Sequence, residues 1–198
     1  LIPPENDHGE GIVDMQHFML ERLRRDLSDR QSREQALLEA TKANLDTQAK
    51  IHQAVRAVIE ADSFDALIKI VTGKLPALFE ISAASFCVES DAHLPPAAME
   101  TGIVLLSPGL LAKMMDADRT VALRADIEGD KRIFGEKAKL IRSVALLRLE
   151  IGGGKPQALL ALGSIAPKGF DPRQGTELLS FFAHIFLHCT RRWLGMPP

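Results

Sequence analysis

Residues 157–194 read QALLALGSIAPKGFDPRQGTELLSFFAHIFLHCTRRWL, and this stretch decides the fold. It opens with an almost continuous apolar run, ALLALG, which is typical of a strand in the centre of a sheet. A polar segment with two prolines and two glycines follows. The helical pattern of Gly175 to Leu194 then reaches the only tryptophan of the chain. A strand, a turn and an amphipathic helix in this order predict the closing part of a compact α+β domain.

The sequence just before this stretch predicts the neighbouring strand. Residues 142–151 alternate, so that Leu147 and the apolar residues two positions away share one face and Arg148 lies on the other. The turn Gly152-Gly153-Gly154-Lys155 joins the two strands as a hairpin. A phosphate-binding loop is not expected there, because Pro156 follows the lysine and another strand comes next instead of a helix.

The rest of the domain is assembled from shorter elements. A helix is expected to begin at Asp62 or Ser63, with a kink or an early end at Pro76. Strands, a helix and loops follow in order: strand 82–89, loop 90–96, strand 102–106, helix 109–115, strand 121–125 and a charged loop over 126–139. The sequence therefore predicts an α+β fold over residues 62–198, with an antiparallel sheet flanked by helices.

The N-terminal part of the chain has a different character. Residues 1–12 are rich in proline, glycine and charge and are expected to be irregular, whereas residues 13–61 contain neither proline nor glycine and predict one long helix. Its apolar residues form two short seams on either side of the polar stretch Ser28 to Gln35: Met15, Met19, Leu23 and Leu27, then Leu37 or Leu38, Leu45, Ile51, Val55 and Ile59. The seams favour a helical dimer stalk, and a hairpin folded back through the polar stretch stays open as the alternative.

Composition narrows the classes of function. A net charge of -2 and an isoelectric point near 6.3 give no general attraction to nucleic acid or to anionic membranes. The arginines of the long helix are balanced by acidic neighbours, which are Glu21, Asp26, Asp29 and Glu34. No apolar run approaches the roughly 20 residues that a membrane span needs. Cys87 and Cys189 lie far apart in apolar runs, so free thiols and a cytoplasmic location are expected.

Four segments carry a family resemblance. They are MQHFMLERLRRDL at 15–27, EATKANL at 39–45, FGEKAKLIRSVALLRL at 134–149, and LLALGS with GFDPRQGTELLSFF near the end. Together they resemble the domain-of-unknown-function 484 family, proteobacterial proteins with a GAF-like domain behind an N-terminal helix. The resemblance implies a GAF-like fold and no particular activity. The residue pattern of the GAF domains that bind cyclic nucleotides is absent, so the identity of any ligand or cofactor stays open.

The resemblance also indicates where a ligand would lie, which is between the sheet and the loops and helices over one of its faces. Phe134, Gly135, Arg142 and Ser143 are expected to border that cavity. Arg142 could hold an anionic group by a bidentate contact, or it could pair with Glu136 and fasten the loop.

Two other groups of polar residues have simpler interpretations. His184 and His188 stand four residues apart on the final helix, but they continue a polar stripe and predict a solvated face or a polar dimer contact in preference to a metal site. The charged run Asp126, Glu128, Asp130, Lys131 and Arg132 predicts a solvated connection. No catalytic constellation can be assembled, so an enzyme is not expected. The sequence predicts a homodimeric sensory or regulatory module for a small ligand, with a non-enzymatic dimerisation or interaction scaffold as the alternative.

Overall fold

The computed structural model describes residues 10–90, 102–116, 118–152 and 157–194. The chain divides into two compact units, Leu1–Thr47 and Gln48–Pro198. Residues 1–9 of the irregular segment expected over 1–12, most of the loop 90–96 and the turn residues 153–156 lie outside the described residues.

A single helix, α1 (Glu10–Ile59), accounts for the described part of the first unit and continues into the second. The prediction of one long helix is confirmed, although it begins at Glu10 instead of Val13, and the folded-back hairpin is wrong. The stretch SDRQSREQ is polar but contains no residue that breaks a helix, so the backbone continues through it. Every described side chain from 17 to 49 is exposed.

The second unit begins with the last turns of α1, where Ile51, Ala54 and Val58 are fully buried. Two short helices follow, α2 (Phe64–Lys69) and α3 (Leu75–Phe79), with a π-helical segment, Ile70–Lys74, between them. The predicted cap is confirmed, because the Ser63 hydroxyl accepts a hydrogen bond from the Ala66 N–H at 3.2 Å. Pro76 lacks an N–H for the α-helical ladder, so the widened π turn lies directly before it.

The described strands form one five-stranded sheet in the order β2-β1-β5-β4-β3. Their bounds are β1 Ala83–Glu89, β2 Ile103–Leu106, β3 Val121–Arg124, β4 Ser143–Glu150 and β5 Gln157–Ser164. The predicted hairpin is confirmed, since β4 and β5 pair antiparallel from Ser143↔Ser164 to Glu150↔Gln157.

The sheet is mixed, which corrects the expectation of an antiparallel sheet. β2 lies parallel to β1, with Phe86 opposite Ile103 and Glu89 opposite Leu106. Parallel neighbours need a crossover connection of about a dozen residues, and the segment between Glu89 and Ile103 is long enough for one. Strand direction depends on the path of that connection, which alternation of residues within a strand does not encode.

Helices cover both faces of the sheet, so the α+β class with flanking helices is confirmed. One face packs against the end of α1, against α2 and against the final helix α6 (Glu177–Trp193). The other face packs against α4 (Leu110–Met114) and α5 (Lys131–Phe134). As a result β4 is buried on both faces: Leu147 belongs to the α1 and α6 side, and Leu146 to the α4 and α5 side.

The charged segment 126–139 is helical over most of its length, which corrects the expected loop. Asp130 caps α5 by accepting a hydrogen bond from the Arg132 N–H at 2.8 Å, and a 3-10 helix, Gly135–Leu140, follows directly. Ile133 and Phe134 are buried against the sheet. Ala138 of the 3-10 helix is buried as well. The two helices are too short for a helical periodicity that could predict them.

Candidate ligand-binding cavity

A cavity of about 420 Å³ lies on the α4 and α5 side of the sheet. Its size falls in the range of small-molecule sites, which is roughly 300–1,000 Å³. The apolar part of its wall comes from α4, α5 and β4, and consists of Leu110, Met114, Ile133, Phe134, Val144 and Leu146. Val144 and Leu146 are two residues apart on β4 and therefore project from the same face of the strand.

Charged side chains make up the polar part of the wall. They are Lys113, Arg124, Glu128, Asp130 and Arg132. The Arg124 guanidinium donates a hydrogen bond to the Met114 carbonyl, which places it beside the last turn of α4. Lys113 lies in that same turn. No carboxylate of the described residues forms an ion pair with Lys113 or Arg124.

Asp130 and Arg132, in contrast, already neutralise each other. Arg132 Nε and Nη2 donate to the two carboxylate oxygens at 3.0 and 2.6 Å, a bidentate contact. The hydrogen bond from the Arg132 side chain, supported by the Arg132 backbone N–H, lowers the pKa of Asp130 below its ordinary value of 3.8. Asp130 is therefore ionised at neutral pH and is a poor general acid.

The thiol of Cys87 is the nucleophile packed in this layer of the core. Its side chain is fully buried, and this burial, together with the negative charge of Asp130, raises the pKa of the Cys87 thiol to about 12. A thiol that stays protonated at neutral pH is a weak nucleophile. Cys87 therefore acts as an apolar core residue.

Of the four residues expected to border a ligand cavity, Phe134 lines it. Gly135 follows directly and has φ 55° and ψ −131°, a conformation that favours glycine and turns the chain from α5 into the 3-10 helix. Arg142 is exposed and is not part of this wall. Its backbone N–H donates to Ser164 O at 2.8 Å and its carbonyl accepts from Ile127 N at 2.9 Å.

Ser143 does not line the cavity and has a structural role instead. Its side chain is fully buried, and its hydroxyl donates to Ala166 O at 2.7 Å and accepts from Phe170 N at 3.2 Å. These bonds fasten the loop between β5 and α6. A side chain at Gly169 would place its Cβ 2.8 Å from Ser164 Oγ and 3.1 Å from Ser143 Oγ, so this close approach requires glycine.

A second cavity, of about 240 Å³, lies beside α6 and the edge of β4. Its wall includes Arg119, Glu150, His184 and Arg191. Arg191 already donates to the carbonyls of Ile151 and Glu150, at 3.2 and 2.6 Å, and so fastens the end of α6 to the end of β4. These two hydrogen bonds give Arg191 a structural role.

His184 and His188 are both exposed, as the solvated-face prediction required. His184 Nδ1 lies 2.7 Å from the Ser180 carbonyl oxygen of the preceding turn.

Sequence reasoning missed Lys113 and Arg124 as site residues. They come from α4 and the end of β3, and only the packing of α4 over the sheet places them around one cavity. Asp130 and Arg132 were noted as part of a charged run, but that run was expected to be a solvated loop that connects two elements. The Asp-x-Arg spacing, in which an aspartate caps a helix and holds an arginine two residues later, was the available signal.

The described helices contain no segment that is long and apolar enough to cross a membrane. A family model for DUF484, described as a protein of unknown function, matches residues 6–195. The chain therefore belongs to the DUF484 family, as the sequence resemblance indicated. A search of curated proteins found no match.

Proposed function

We propose that this protein is a GAF-like sensory or regulatory module that binds a small ligand and acts as a homodimer. The cavity of about 420 Å³ beside β4 is the observation that carries the proposal. Its wall combines an apolar surface with a few charged side chains, which is the usual composition of a ligand site, and Lys113, Arg124 and Glu128 form no ion pair with another described residue. The free, buried cysteines agree with a cytoplasmic location, which is part of the proposal.

The exposed apolar residues of α1 support self-association. Phe18, Leu20, Leu23, Leu27 and Leu38 are each more than half exposed. Leu20, Leu23 and Leu27 are spaced by three and then four residues, the spacing of a coiled-coil seam, and a second copy of α1 would cover them. The proposed partner surface is this seam.

β4 offers a route from ligand to helix. Leu146 lines the cavity, and its neighbour Leu147 packs in the cluster that contains Ile51 and Val58 of α1. A ligand that shifts β4 by a fraction of an ångström would change how the last turns of α1 pack. Coupling of this kind requires that the ligand binds the two packing states with different affinities.

The alternative function is a non-enzymatic scaffold that dimerises or docks a partner protein without a ligand. The same exposed residues of α1 favour it, because they need a covering surface whether or not the cavity is occupied.

Light scattering combined with a thermal-shift screen tests both parts of the proposal. We expect the full chain to be a dimer and at least one metabolite class to raise its melting temperature. The double variant Leu23→Asp, Leu27→Asp is expected to be monomeric, because it places two charges in the seam. Ser32→Asp with Ala36→Asp, which adds the same charge to exposed positions on the opposite face of the helix, is the control and is expected to stay dimeric.

The outcomes separate the two functions. A dimer that no compound stabilises would favour the scaffold. A monomeric full chain that no compound stabilises would contradict the sensory module.

A further inference from the structure

We propose that the cavity beside β4 selects a small molecule with an apolar body and one anionic head group, a carboxylate or a phosphate. This inference depends on the ligand binding proposed above and adds the chemical class of the ligand. It rests on the shape of the cavity, the nature of its wall and the charges that remain after its internal ion pair is taken into account.

The body of the ligand follows from the size and lining of the cavity. A volume of about 420 Å³ lies at the lower end for small-molecule sites and is too small for a folded partner. Phe134, Val144 and Leu146 line the cavity and belong to the same cluster of buried apolar residues. Apolar atoms that cover this surface gain roughly 25 cal/mol for each Å² removed from water.

The head group follows from the charges. Asp130 and Arg132 cancel each other through their bidentate contact. Lys113, Arg124 and Glu128 remain, and no ion pair joins any of them to another described residue. The cavity therefore has an excess of one positive charge in a chain whose net charge is -2.

The position of the two cations strengthens the assignment. Lys113 and Met114 are consecutive in the last turn of α4, and Arg124 donates to the Met114 carbonyl. This bond holds the guanidinium on the same side of the cavity as the last turn of α4. Arginine and lysine together are suited to a carboxylate or phosphate, since arginine supplies a planar fork and lysine a mobile charge.

Calorimetric titration of the full chain with four probes of equal chain length tests the inference. The probes are octanoate, octyl phosphate, 1-octanol and octylammonium, each used below its micelle concentration. We expect both anions to bind, and the neutral and cationic probes to bind at least about ten-fold more weakly, a difference of about 1.4 kcal/mol. Binding in this cavity is expected to shift the methyl resonance of Met114 and to leave that of Met19 on α1 unchanged.

Matched variants identify the residues responsible. The double variant Lys113→Gln, Arg124→Gln is expected to bind the two anions about ten-fold more weakly or worse. Its affinity for 1-octanol is expected to be unchanged. Arg119→Gln with Lys131→Gln removes two exposed cations that do not line this cavity and is the control. Lys113→Gln alone, a substitution on an exposed position of α4, keeps the test valid if the double variant is unstable.

The two proposals fail in different ways. Equal affinity for octylammonium or 1-octanol, or unchanged anion affinity in the Lys113 and Arg124 variant, would overturn the charge assignment while ligand binding stands. If no probe binds and no compound of the thermal-shift screen shifts the methyl resonance of Met114, both the charge assignment and the sensory function are contradicted.

Discussion

Residues 10–47 and the unit Gln48–Pro198 use the same residue types in opposite ways. Leu38 in α1 is 51% exposed, whereas Leu147 in β4 is fully buried between two layers of helices. In the compact unit, apolar side chains contribute stability because they leave water. In residues 17–47 of α1 they are exposed, so their contribution to stability depends on what covers them. The number of leucines in a segment of this chain therefore does not show how much the segment contributes to the free energy of unfolding.

The largest expected effect is a difference in stability between two matched leucine substitutions, one in each region. Leu147→Ala is expected to lower the free energy of unfolding by about 3 kcal/mol, because it leaves a cavity in a closed core. Leu38→Ala is expected to change the unfolding of the compact unit by less than about 0.5 kcal/mol. Denaturant unfolding followed by the fluorescence of Trp193, which lies in the compact unit, measures both. A loss of 2 kcal/mol or more in Leu38→Ala would break the comparison.

Removing the hydroxyl at Ser143 is expected to have an intermediate effect. Ser143→Ala leaves Phe170 N without its hydrogen-bond acceptor and removes one of the two bonds to Ala166 O, which keeps the bond from the Gly169 N–H at 3.1 Å. The unsatisfied N–H is expected to cost roughly 1–3 kcal/mol. Ser28→Ala, on the exposed face of α1, is the matched control and is expected to be neutral or slightly stabilising, because alanine has the higher helix propensity. Chemical denaturation curves of the two variants decide the point. Equal stability of both would show that the loop is not fastened through Ser143.

The smallest effect expected depends on pH and concerns Asp130. The folded pKa of Asp130 is lowered by Arg132, so its stabilising contribution is present above the ordinary pKa of 3.8 and is lost as the pH falls through the folded pKa. Asp130→Asn keeps the helix cap, because asparagine caps as well as aspartate, and loses the ion pair with the exposed Arg132. The expected cost at pH 7 is roughly 0.2–1 kcal/mol. The cost is expected to shrink toward zero below the folded pKa.

Thermal unfolding of the wild type and Asp130→Asn between pH 2.5 and 7 measures this difference. Asp29→Asn, at an exposed position of α1, is the control, and its unfolding temperature is expected to follow that of the wild type across the range. A constant difference between the wild type and Asp130→Asn at every pH would exclude the ion pair as its cause.

Much of the fold could be predicted because its signals are local. The apolar run before Ser164, the alternation along β4 and the absence of helix breakers in α1 each lie within one element, and each prediction was confirmed. The residues expected to border a ligand cavity have different surroundings in the structure. Phe134 lines the cavity, but Ser143 fastens a loop and Arg142 lies outside the wall. The positions of Arg142 and Ser143 along the chain suggested a ligand cavity, but the residues that surround them in the fold come from distant segments.

The sequence by itself determined the long helix, the α+β class and membership of the DUF484 family, because periodicity, propensity and motif spacing are written along the chain. Only the tertiary structure decided the parallel pairing of β1 with β2, the burial of β4 on both faces and the meeting of Lys113 with Arg124 around one cavity. These features depend on the path of connections and on contacts between residues far apart in sequence. Such contacts form when layers pack, and no single segment specifies them.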